Sequence, residues 1–78
     1  MEDRDVVRSI DDLVAEEHRI RAKGQEITVE DRARLADLEV QLDQCWDLLR
    51  QRRAKRDAGQ DPDVAAERSG TTVEGYLS

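Results

Sequence analysis

From Thr28 to Asp57 the chain reads TVEDRARLADLEVQLDQCWDLLRQRRAKRD, thirty residues with no glycine or proline. Nothing else in the sequence constrains the fold as strongly. Leu35, Leu38, Leu42, Cys45 and Leu49 recur at alternating steps of three and four, the seam of a helix that packs on another helix. Thr28 is placed to cap the first turn, with Asp31 three residues on as the reciprocal acid of a capping box. At ~1.5 Å per residue this pattern supports about 43 Å of unbroken helix.

A second apolar face precedes it. Val6, Ile10, Leu13 and Ile20 share one side of a helix, widened by Val7 and Val14. Acids at its start (Glu2, Asp3, Asp5) and bases at its end (Arg19, Arg21, Lys23) both complement the helix dipole. Gly24 supplies the stop, because glycine alone enters the left-handed conformation at little steric cost. So short a connection predicts two antiparallel helices, about 4–23 and 29–57, forming a hairpin over residues 1–57. Folding about residues 25 and 26 sets Leu13 near Leu38, Ile10 near Leu42, and Val6 near Cys45 and Trp46. It also sets Glu17 near Arg34, Arg8 near Asp43 and Arg4 near Asp47.

In this register the first helix ends opposite Leu49, which leaves Arg50 to Asp57 overhanging. Trp46, Leu48 and Leu49 then lie at an open end, short of partners. Residues 58–78 hold Gly59, Pro62, Gly70 and Gly75, and read as a mostly irregular tail, flexible or loosely docked. The predicted class is therefore all-α. A lone hairpin buries too little apolar surface to offset the cost of ordering it, so pairing of two copies into a four-helix bundle is expected.

Composition narrows the functions. Charged residues make up 41% and hydrophobic ones 37%, a balance that suits order only because the apolar residues follow helical spacing. A net charge of −6 argues against nucleic acid or anionic membrane as the principal partner. The single cysteine excludes an internal disulfide, and no long apolar run suggests a signal peptide or membrane span. A cytoplasmic location is the expectation.

The candidate sites are few. Cys45 stands at a seam position between Asp43 and Asp47, a setting for a small core hydrophobe and not for a reactive thiolate. His18 lacks the Glu-x-x-His spacing of helical di-metal sites, since position 15 is alanine, and no metal or cofactor is expected. Arg50, Arg52, Arg53, Lys55 and Arg56 form a basic run that is a candidate anion or nucleic-acid contact. No aromatic residues interleave with it for base stacking, and cations suit a helix C-terminus in any case. A solvated helix end is the better reading.

The segments LEVQLDQCWDLLRQRRAKR at 38–56, EEHRIR at 16–21 and TVEGY at 72–76 resemble one family across nearly the full length. It is an uncharacterised set of small actinobacterial proteins, catalogued as a domain of unknown function. The resemblance implies a stand-alone helical protein of about this size, and brings no activity, cofactor or catalytic residue. DLLRQRRAKR also faintly resembles the arginine-bearing helix of all-helical chorismate mutases. That fold needs a third substantial helix and has its arginine helix first, so this enzyme reading ranks third.

The sequence thus predicts a non-enzymatic interaction or accessory module, working as a homodimer or with a protein partner. Trp46, Leu48 and Leu49 are the expected surface, with Tyr76 and Leu77 as secondary candidates. A nucleic-acid or ribonucleoprotein accessory using residues 50–56 is the alternative.

Overall fold

A computed structural model describes residues 1–77, the side chains of Tyr76 and Leu77 excepted. Three helices form: α1 (Asp3–Arg21), α2 (Val29–Asp57) and α3 (Gly70–Leu77). No strand occurs among the described residues, and no helix there is long and apolar enough to cross a membrane.

The hairpin follows its punctuation. Thr28 Oγ1 accepts the Asp31 N–H at 3.0 Å while the Asp31 carboxylate accepts the Thr28 N–H at 3.1 Å, which satisfies two orphan donors at the start of α2. Lys23 closes the turn by pairing with Asp31 at 3.0 Å. Gly24 (φ 59°) and Gly59 (φ 73°) take the left-handed backbone after α1 and α2. The short 3₁₀ turn Gly24–Glu26 joins the helices.

Val6, Ile10, Leu48 and Leu49 make the central core cluster, with Val14, Leu42, Cys45 and Ala65 against it. Hence Ile10 with Leu42, and Val6 with Cys45, do share one cluster. The ion pairs revise the expected register in detail. Arg34 reaches Glu16 at 3.0 Å, not Glu17, and Glu17 pairs with Arg21 one turn along its own helix. Arg4 pairs with Glu2, while Asp47 meets Arg50 and Arg68.

The larger correction concerns the second half. The start of α1 reaches further along α2 than expected, since Asp3 pairs with Arg52 and Arg56, so only a short end overhangs. Beyond Gly59 the described chain turns back and lies along α2, with irregular stretches at 60–61 and 65–69 but also a 3₁₀ turn and the helix α3, which the expected tail did not include. A 3₁₀ turn at Pro62–Val64, capped by Asp61 on the Asp63 N–H at 2.9 Å, begins the return. Two amides of α2 hook the following stretch, Gln51 donating to the Ala66 carbonyl (2.8 Å) and Gln44 to that of Arg68 (3.3 Å). Val73 of α3 is then wholly buried. A Cβ on Gly70 would lie 2.6 Å from Val40 Cγ1, so glycine lets the two backbones approach this closely.

The return segment buries what the hairpin leaves open. Leu48 and Leu49, expected at an exposed end, are 6% and 2% exposed and belong to the core. They face α1 and the returning chain together, with Ala65 packed on their cluster.

Candidate functional site

Once Leu48 and Leu49 are assigned to the core, Trp46 stands apart. It is 47% exposed although it lies near the centre of the 29-residue α2. The ion pairs Glu16–Arg34 and Asp3–Arg52 fix the register of α1 on α2 and place Val7 level with Trp46. Helical phase puts both on the same side of the pair, the side crossed by Arg21–Glu39. Val7 is 41% exposed. An indole and a valine thus form an apolar patch at the α1–α2 seam. The secondary candidates Tyr76 and Leu77 have side chains outside the described residues.

The basic run is divided by the fold. Arg52 is 4% exposed and spends its guanidinium inside the molecule. Its Nε donates to Asp3 (2.7 Å), one terminal nitrogen to Asp63 (2.9 Å) and the Pro62 carbonyl (3.3 Å), and the other to the Met1 carbonyl (2.8 Å). Arg56 also binds Asp3. The Asp3 carboxyl is held below its ordinary range by the hydrogen bonds from Arg52 and then Arg56, and Asp63 by that from Arg52. Arg52 is therefore withdrawn as an anion contact, because it is buried and four of its five N–H donors are already engaged. Arg50, Arg53, Lys55 and Arg56 remain accessible, with Arg50 3.8 Å from Asp47.

A shallow groove of about 710 Å³ runs between α2 and α3, lined by Asp37, Val40, Gln41, Gln44 and Glu74 among others. Beside it Glu74 is hydrogen-bonded to Asp43. That bond, burial, and the charges of Asp43 and Glu39 all push its carboxyl up. Burial likewise pushes the Cys45 thiol up, with the charge of Glu67 adding to it, which disfavours the nucleophilic thiolate. His18 is exposed, and no group of three metal-ligating side chains gathers among the described residues.

Sequence reasoning missed Val7, which it treated only as widening the core face, and Asp3, Asp63 and Glu74. The acids at 61 and 63 after a basic run were visible signals for the Arg52 cluster. Glu74 carried no signal, since its neighbour comes from a packing that periodicity does not announce.

The chain belongs to the family described as Protein of unknown function (DUF2630), whose model matches residues 2–78. It is 48% identical over 77 residues to an uncharacterized protein of Mycobacterium bovis, covering 95% of this chain and 88% of the relative. Uncharacterized proteins from two strains of Mycobacterium tuberculosis match to the same extent. No solved structure matches.

Proposed function

We propose that this member of a family of unknown function is a small cytoplasmic protein-interaction or accessory module, non-enzymatic, which binds protein through the Trp46–Val7 patch and self-associates. The observation that carries this reading is the half-exposed tryptophan on a helix whose neighbouring leucines are buried. Exposed aromatic anchors on rigid elements concentrate binding energy. The overall surface agrees. The chain exposes 5448 Å², where a compact monomer of its mass exposes about 4,800 Å². Its radius of gyration is 14.6 Å, against about 11.5 Å for a compact domain of this length. Such an elongated shape leaves side area for a second molecule, as in a four-helix bundle.

The nucleic-acid reading loses its central arginine to Asp3 and Asp63, and no observation favours the chorismate-mutase reading. The test is affinity capture of the tagged full chain from its own cells, beside Trp46→Ala and a control, Val29→Ala, at the exposed first turn of α2. Captured protein, a second copy included, should survive the control and be lost with Trp46→Ala at unchanged helix content. Equal capture by all three overturns the reading.

A further inference from the structure

We infer that the occupant of the Trp46 patch is a second copy of this chain, with the two α2 helices packed antiparallel across a two-fold axis at Trp46. This rests on reading the patch as a binding surface and names what covers it. Glu39, Asp43, Trp46, Arg50 and Arg53 follow one another at steps of four, three, four and three, so they form one stripe along α2. Four of the five are exposed and Asp43 is partly so. Chemically the stripe reads acid, acid, indole, guanidinium, guanidinium.

Its halves balance about the tryptophan. Glu39 and Arg53 lie seven residues to either side, Asp43 three before and Arg50 four after. A two-fold rotation at Trp46 reverses the stripe, so each acidic half meets the basic half of the other copy and the indoles meet at the axis. Parallel packing would set acid on acid and base on base. An isologous interface requires this kind of self-complementary patch, and a stripe of one sign does not provide it. The stripe covers roughly 21 Å of helix, a length over which two helices crossing at ~20° remain in contact.

On α1 the same polarity recurs: Arg4, Val7 and Asp11 share a flank, with Arg4 toward the Arg50 end and Asp11 toward the Asp43 end. Glu74 of α3 places a third carboxyl group beside Asp43 and Glu39. An arginine from a second copy meets this concentration of carboxylates. The intrachain contacts that compete are long: Arg21–Glu39 at 3.5 Å is exposed on both sides, and Arg50–Asp47 at 3.8 Å joins an exposed arginine to a buried aspartate that Arg68 also holds. A nucleic acid or an acidic protein would use the arginines and be repelled by Glu39 and Asp43. Only a partner carrying both signs in reverse order uses the whole stripe.

The experiment is light scattering on the full chain and two charge-reversed variants, Glu39→Arg with Asp43→Arg, and Arg50→Glu with Arg53→Glu. Wild type should give twice the 8.9 kDa chain mass. Each variant alone should dissociate about tenfold more readily or worse, and the equimolar mixture should recover the dimer. A monomeric wild type, or a mixture that stays apart while both variants keep their helix content, overturns the inference. If either variant unfolds, cysteine cross-linking in a Cys45→Ser background decides. Glu39→Cys mixed with Arg53→Cys should link across chains faster than either alone, and equal rates overturn the antiparallel arrangement. A monomeric wild type whose capture of another protein needs Trp46 sinks the second copy and leaves the interaction reading standing. A Trp46→Ala chain that dimerises like wild type sinks both.

Discussion

At the C-terminal end of α2, Arg52 draws together Asp3, Asp63 and two backbone carbonyls; further back on the same helix, α3 lays Glu74 against Asp43 and Glu39. Both places fasten the returning chain to α2, but one does so with opposite charges and the other against like charges. Arg52 lies one helical turn beyond Leu48 and Leu49 of the core, and at this end electrostatics and packing favour the same state. At α3, the packing of Val73 and Gly70 works against the carboxylates beside it. This contrast predicts a firm hairpin end and a helix that detaches first.

The largest effect should separate the two regions by packing. Leu49→Ala opens a cavity in the central cluster and should cost about 2–5 kcal/mol of global stability in a denaturant titration. Val73→Ala, which loses two methyl groups at ~0.8 kcal/mol each, should cost about 1.5 kcal/mol. Equal losses would mean that α3 is as integral as the hairpin.

Gly70→Ala comes next. The new methyl group meets Val40, and overpacking of this kind costs ~1–3 kcal/mol. Here the cost should fall on the docking of α3 alone. Hydrogen exchange should speed up for residues 70–77 and stay unchanged through residues 29–57; uniform acceleration would break the comparison.

The smaller effects are pH-dependent and of opposite sign. Asp3 and Asp63 have folded pKa values below their unfolded ones, so their contribution is present above the ordinary carboxyl range and is lost as pH falls through the lowered values. Arg52→Met should flatten that acid limb of the stability curve; an unchanged limb would remove Arg52 as its source. Glu74 has a folded pKa above its unfolded one, so its contribution is complete below the unfolded value and is lost as pH rises through the raised one. The Val73 methyl resonances should therefore report a looser α3 on the alkaline side, and Glu74→Gln should abolish the change. A Val73 signal indifferent to pH in wild type would erase the contrast.

The sequence announces one of these regions and hides the other for a physical reason. Seams at Leu38, Leu42 and Leu49, the Thr28–Asp31 box and Gly24 encode the hairpin locally. The second packed face of α2 consists largely of Gln44 and Gln51 beside the single apolar Val40, and hydropathy counts the two glutamines as solvent-facing. Those amides serve instead as hooks for the carbonyls of Ala66 and Arg68. Residues 70–77 carry one decisive apolar side chain among the described ones, Val73, too few to set a period. Arg52 was hidden by its neighbours, since a buried arginine within a basic run looks like the rest of the run. Trp46 was legible as a candidate surface, but Leu48 and Leu49 were separable from it only once the tail was in place.

The Arg52 cluster also has a place in time. It links residues 49 and 51 positions apart on one side, and only 10 and 11 apart on the other. Closing the shorter loop costs less entropy, so the turn at Pro62 reaches the guanidinium early, while Asp3 arrives only after the whole hairpin has zipped from Gly24. The charge is fully desolvated by the last arrival. Within the hairpin, the first turn of α1 is thus the final piece to set in folding, even though the finished cluster outlasts the docking of α3 when the molecule opens.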